Sequence, residues 1–217
     1  ECRRCVENCR FGAINDRVII EKSFCEGCGV CEYVCPVDAI EMVDRDSGFS
    51  YISDTRFGPM SHAVLNTAEE ASGKLVTVVR ENAKKIAEDK EKEIIIIDGP
   101  PGIVCPVISA ITGVDLVLIV TEPTLSGISD LERIMGVAEH FNIPSTVCIN
   151  KFDLNEENSK KIEDFCKNKN VEIVGKLPYD TSITKALLDE KSIIDYDPGS
   201  DLSEKIRDML NKIERKL

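Results

Sequence analysis

The chain is 217 residues long, with a formal net charge of −12, 30% charged residues and ten cysteines. That length can bury a real core and hold one large domain beside a small one. The acidic balance argues against DNA, RNA or anionic membrane as partners, since clustered Lys and Arg drive such binding. Seven of the ten cysteines precede residue 36, a clustering that a secreted disulfide scaffold of this length does not need, so a reducing cytoplasm is the expected compartment. No apolar run reaches the length of a membrane span and no secretory leader is visible, so no stable membrane anchor is expected.

The first 44 residues are organised by cysteine spacing. Cys25-x2-Cys28-x2-Cys31-x3-Cys35-Pro36 is the ligand run of bacterial-type ferredoxins, in which closely spaced thiolates face one cubane from a tight loop. An offset of 26 residues superposes Cys2, Cys5 and Cys9 on Cys28, Cys31 and Cys35, and Ala13-Ile14 on Ala39-Ile40. The segment is therefore read as a duplicated half-motif whose first copy is clipped, and a longer polypeptide is expected to precede Glu1. Zinc is the alternative metal. It usually sits between two Cys-x2-Cys units, whereas here a fourth Cys and a Pro follow three close cysteines, which favours iron–sulfur. In two-cluster ferredoxins the fourth Cys of each run ligates the other cluster. Cys25, Cys28 and Cys31 are thus expected to share one [4Fe-4S] cluster with Cys9. Cys2, Cys5 and Cys35 are expected to hold a second, whose ligand set is incomplete here. Val18 to Glu21 is expected to form a short strand between the two ligand loops.

After Asp44 the character changes, and the expected division is 1–44 for a ferredoxin-like insert and 45–217 for the remainder. Asp46-Ser47-Gly48 is a turn signal; Phe49 to Ser53 and Met60 to Leu65 read as short strands. Ser72 is a candidate N-cap for a helix over Lys74 to Lys92, where Leu75, Val78, Val79, Ala83 and Ile86 recur at helical spacing. Apolar segments then alternate with amphipathic ones. Glu93 to Asp98, Asp115 to Thr121, Ser145 to Asn150 and Val171 to Val174 read as buried strands. Gly127 to Phe141, Glu156 to Asn168 and Ile183 to Leu188 read as helices between and after them. This alternation predicts an α/β class with a doubly wound, mostly parallel sheet.

Such sheets bind ligands at the carboxyl ends of their strands. Asp98, ahead of Gly99-Pro100-Pro101-Gly102, has the Walker B arrangement of a magnesium-side carboxylate, the alternative being an Asp that caps an ordinary turn. Asn150-Lys151-Phe152-Asp153 reads as a base-recognition loop, and Leu177-Pro178-Tyr179-Asp180 offers main-chain groups to the same base.

Residues 66 to 217, with GKLVTVVRENA, IIIIDGPPG, TEPTLSGISDL, INKFD and LPYD in that order, resemble the P-loop ATPases of the MinD/ParA/Mrp superfamily. The ferredoxin segment matches the branch that carries an inserted two-cluster ferredoxin domain. The resemblance implies ATP and Mg2+ as cofactors and a homodimer in the ATP-bound state. It casts Asp98 as the catalytic switch carboxylate, Gly102 as the switch glycine, Asn150 and Pro178 as adenine contacts, and Asp180 as a neighbour of the base. The Asn150 to Asp153 run also fits a guanine loop, and the superfamily favours ATP. No GKGGxGK or G-x4-G-K-[ST] loop occurs within residues 1 to 217. As it stands the chain is therefore not expected to hydrolyse ATP, and its sheet is expected to lack a central strand.

Cys105 lies at the interval from Asp98 at which the nitrogenase iron protein, of the same superfamily, places a cluster ligand; with no second such Cys between Cys35 and Cys105, a buried structural role is expected. Cys148, inside a strand, and Cys166, inside a helix, are expected to pack. His62 and His140 have no surroundings that suggest catalysis. The last helix, with Leu202, Ile206, Leu210, Ile213 and Leu217 on one face, is expected to dock on its own domain. Two functional readings follow. One is an ATPase that couples nucleotide turnover to electron transfer toward a redox partner. The other is a Mrp-like carrier that hands clusters to an apo iron–sulfur acceptor.

Overall fold

The computed structural model describes residues 2–67, 69 and 71–217. Its internal contacts divide the chain into Glu1–Glu70 and Ala71–Leu217, so the hairpin after residue 44 groups with the cysteine segment.

In the first unit the duplication seen in the sequence is also a duplication of conformation. Helix α1 (Arg4–Asn8) and helix α2 (Val30–Tyr33) each follow a residue in the left-handed region, Arg3 at φ 56° and Gly29 at φ 73°. Gly12 at φ 63° and Asp38 at φ 50° repeat the same relation. The main-chain N–H of Ala13 donates to Cys9 Sγ at 3.3 Å, and that of Ala39 donates to Cys35 Sγ at 3.2 Å. The strand expected over Val18 to Glu21 does not form. Val18 adopts φ 59°, and the Asn15 side chain accepts from the amides of Arg17 and Ile19, each at 3.0 Å. This tight turn leaves one antiparallel bridge, Ile14 to Ile20; an L-residue in the left-handed region breaks a strand. Among the described residues of this unit, Cys5, Ala13 and Ile14 are the buried apolar ones. So small a core needs another source of stability.

Strands β1 (Gly48–Thr55) and β2 (Gly58–Leu65) form an antiparallel hairpin, registered from Gly48 opposite Leu65 to Thr55 opposite Gly58. Tyr51 stacks on His62 with ring centroids 5.5 Å apart, and His62 is hydrogen-bonded to Ser53 at 2.9 Å.

The second unit opens with α3 (Gly73–Asp89), where Ser72 Oγ accepts from the Leu75 amide at 3.2 Å. A short helix that the apolar pattern did not announce follows, α4 (Cys105–Ile111), with Pro106 in its first turn. Arg80 from α3 donates to the carbonyls of Ser109 and Thr112, satisfying the end of α4. Next come β3 (Val117–Thr121), α5 (Leu125–His140), β4 (Ser145–Asn150), a 3-10 turn at Phe152–Leu154, α6 (Glu156–Asn168) and β5 (Glu172–Leu177). The chain ends with α7 (Ser182–Leu188), α8 (Ile193–Tyr196) and α9 (Asp201–Glu214).

The described strands of this unit pair in the order β3-β4-β5, all parallel. Val117, Ile119, Val147 and Ile149 pack against Leu131 and Met135 of α5 and Ile162 and Cys166 of α6, all buried. On the other face Cys148 and Val174 are buried, and α9 supplies buried Leu202. Lys212 of α9 donates to the Val174 carbonyl at 3.2 Å, and Lys216 pairs with Glu172 at 2.7 Å. The terminal helix thus docks on its own sheet, although Leu210 and the C-terminal Leu217 are exposed. Helices on both faces of a parallel sheet make the fold α/β and doubly wound.

Glu93 to Asp98 corrects the sequence reading. The segment is not a strand, and Ile94, Ile95 and Ile96 are 49%, 43% and 88% exposed. The pattern was right for a buried strand, but a strand needs a registered neighbour, and among the described residues it has none.

Candidate cluster site and strand-end loops

Cys9, Cys25, Cys28 and Cys31 line one small pocket, walled otherwise mostly by apolar residues such as Phe11, Ile14, Ile20, Val30 and Met42. This is the foursome expected from the spacing, with Cys9 reaching in from the first repeat. Gly27 and Gly29, at φ 61° and 73°, give the Cys25 to Cys31 loop the left-handed turns that keep three thiols on one side. The amide of Ala13, first among several nearby, holds the Cys9 thiol below its ordinary value, whereas burial pushes that of Cys31 up. Among the described residues no three His, Cys, Asp or Glu side chains stand close enough to hold a single metal ion; the four thiols surround a cavity instead. An all-sulfur donor set in an apolar wall fits an iron–sulfur cluster. Cys2, Cys5 and Cys35 lie outside this wall. Cys2 is exposed and Cys5 buried, and the amides of Val37 and Ala39 hold the Cys35 thiol low.

In the second unit, parallel register sets Asn150 beside Leu177, so Asn150 and Pro178 stand at the carboxyl ends of neighbouring strands. Asp153 Oδ1 accepts the Tyr179 amide at 2.7 Å, joining the loops after β4 and β5. Lys151 pairs with Glu122 at 2.6 Å, joining the loops after β4 and β3. Gly127 lets α5 start tightly against this point, since a Cβ there would lie 2.3 Å from the Glu122 carbonyl. From α6, the Asn158 amide donates to the Pro123 carbonyl at 3.1 Å and the Ser159 hydroxyl to the Phe152 carbonyl at 2.6 Å. Asp180 Oδ1 accepts the Ser182 amide at 2.7 Å, and that bond holds its carboxyl below the usual range.

Asp98 is exposed, and Gly102 adopts φ 89° on a loop that passes α4, where a Cβ on Gly99 would lie 3.8 Å from that of Ala110. The bonds that tie the other three loops do not include Asp98 or Gly102. Cys105 is exposed at the start of α4 rather than buried, because that helix turns its first residue outward and packs through Val107 and Ala110. Asn158 was missed in the sequence; its signal is a polar residue one turn ahead of Ile162 on the buried stripe of α6.

Residues 18–41 match the family model described as a 4Fe-4S binding domain. Across 98% of its length the chain is 34% identical to the uncharacterized protein MJ0578 of Methanocaldococcus jannaschii, of which it spans 71%. To the uncharacterized protein MJ0579 of the same organism it is 31% identical over 94% of its length, spanning 69% of that protein. The chain belongs to the family of these two archaeal proteins. The α/β fold of this chain is shared with solved structures. The septum site-determining protein MinD of Pyrococcus horikoshii, solved with Mg-ADP, superposes with a TM-score of 0.55 at 18% identity, over 70% of this chain and 61% of that one. This chain thus has a MinD-like α/β fold and a small ferredoxin-type domain that matches the 4Fe-4S binding family. Among the described residues no helix is long and apolar enough to cross a membrane.

Proposed function

We propose that this protein couples ATP binding and hydrolysis to electron transfer through [4Fe-4S] clusters. The observation that carries the proposal is the convergence of Cys9 with Cys25, Cys28 and Cys31 on one cavity, in a chain whose other unit has the fold of a protein solved with Mg-ADP. A cluster bound there would supply one-electron chemistry; the protein holds it through the four thiolates and shields it with apolar walls. Cys2, Cys5 and Cys35 are assigned to a second cluster by the repeat. By sequence character the redox module is assigned to residues 1–44 and the nucleotide module to residues 45–217, although the hairpin at its start groups by contacts with the cysteine segment.

In the nucleotide module, Asp98 takes the magnesium side of the phosphates and Gly102 lets its loop reorient. Asn150 and Pro178 meet the adenine edge, with Asp180 holding the adjoining turn through Ser182. An ATP-dependent homodimer brings two copies together, and a redox protein of the reducing cytoplasm is the electron partner. The cluster-carrier reading assigns an apo iron–sulfur acceptor instead. Dedicated cysteines in a ferredoxin run favour retention over transfer.

The test uses the full-length natural protein, purified without oxygen. Repeated reduction and reoxidation should leave iron content constant, and an apo-acceptor should gain no cluster. Asp98→Asn should slow magnesium-dependent ATP hydrolysis on the order of a hundredfold, as loss of one group stabilising transition-state charge does, with iron content unchanged. Transfer of intact clusters to the acceptor would favour the carrier; ATP hydrolysis unaffected by Asp98→Asn would remove that residue from the mechanism.

A further inference from the structure

The loop Asn150 to Asp153 has the residues of a guanine reader, but one carboxylate oxygen of Asp153 is engaged within the protein. Guanine offers two donors side by side, its ring N1–H and its 2-amino group, and a carboxylate reads them best with both oxygens. Here Asp153 Oδ1 already accepts the Tyr179 main-chain N–H at 2.7 Å. The neighbouring cation is also engaged, Lys151 with Glu122 at 2.6 Å. From behind, α6 fixes this loop through Ser159 on the Phe152 carbonyl at 2.6 Å, and the loop after β3 through buried Asn158 on the Pro123 carbonyl at 3.1 Å. Asn150, level with Leu177 on the next strand, is left as the polar side chain at the mouth of these loops.

We propose that Asp153 is a positioning residue that clamps the loop after β5 to the loop after β4, leaving the purine edge to Asn150 and the main chain near Pro178. This rests on the reading of the strand ends as a nucleotide site. The clamp has a distinctive chemical consequence. An Asn at 153 keeps an acceptor oxygen for the Tyr179 amide, so Asp153→Asn preserves the clamp while Asp153→Ala removes it. A base-reading Asp behaves otherwise. Its change to Asn replaces an acceptor with a donor, which disfavours guanine and favours xanthine, whose position 2 carries a carbonyl.

Two measurements on the full-length protein decide the matter. Hydrogen exchange at the Tyr179 amide, read without nucleotide, should quicken about fivefold to tenfold in Asp153→Ala, as loss of one hydrogen bond gives, and stay within about twofold in Asp153→Asn. Affinities for fluorescent ADP, GDP and XDP should show ADP binding weakened about fivefold to tenfold by Asp153→Ala and rescued in Asp153→Asn. Unchanged Tyr179 exchange in Asp153→Ala would overturn the clamp. A switch of Asp153→Asn from GDP to XDP would overturn the positioning role, because it would show the carboxylate reading the base. The expected exchange pattern in a protein that binds none of the three nucleotides would overturn the nucleotide reading and Asp153's part in it, while leaving the bond between the loops established.

Discussion

Single thiols divide by their surroundings. Cys9, Cys25, Cys28 and Cys31 face one cavity, and Cys35 does not share it. Cys9→Ser and Cys28→Ser should therefore erase the same reduced-cluster EPR signal and lower iron by the same amount, whereas Cys35→Ser should leave that signal intact. Cys148 and Cys166 are buried packing residues, and burial pushes each thiol from 9.0 up to about 11. A thiol with a raised folded value favours the fold fully below its unfolded value, and the advantage is lost as pH rises through the folded one. Stability in alkaline titration should therefore fall from about pH 9 towards 11, and Cys148→Ala with Cys166→Ala should flatten that fall. Cys105, exposed at the start of α4, should react with iodoacetamide at neutral pH while the folded protein shields the other two. Its exposure was not legible in the sequence, because an apolar neighbourhood in sequence does not say which way a short helix turns.

Helix ends and strand edges carry the next level. Ser72 caps α3, and Arg80 from the same helix caps the carbonyl end of α4. Arg80→Ala should lower stability by about 1 kcal/mol, the usual worth of such hydrogen bonds, measured as a lower urea midpoint with unchanged slope. Ser72→Ala should cost about as much, as loss of an N-cap does. The Ser72 cap, the span of α6 and the span of β4 could be read locally, since capping chemistry and apolar periodicity lie within a few residues. Two elements could not. The turn at Val18 is held by the Asn15 side chain, which outweighs the β-branched run Val18-Ile19-Ile20. Glu93 to Asp98 has the composition of a strand, but a strand is completed by its neighbour.

At the scale of the chain, each unit has its own source of stability. The buried apolar set of the first is small, so removal of iron should unfold it, whereas the second rests on the Leu131, Met135, Val147, Ile149 and Ile162 core. Leu131→Ala should destabilise the second unit by about 2–5 kcal/mol, the range for truncating a buried leucine, in a melt followed by circular dichroism. The cluster absorbance of the first unit should be unchanged. By itself the sequence determined the spacing of the cysteine run, the 26-residue repeat, the alternation that makes the sheet parallel and the positions of the loops after β3, β4 and β5. These depend on covalent spacing, local backbone preference and period. Only the tertiary structure decided that Asp153 accepts the Tyr179 amide, that the turn at Val18 replaces a strand and that Ile94 to Ile96 lie exposed. The second depends on the Asn15 side chain outweighing a β-branched run. The first and last depend on which distant segment comes to stand beside a residue, and chain proximity does not encode that.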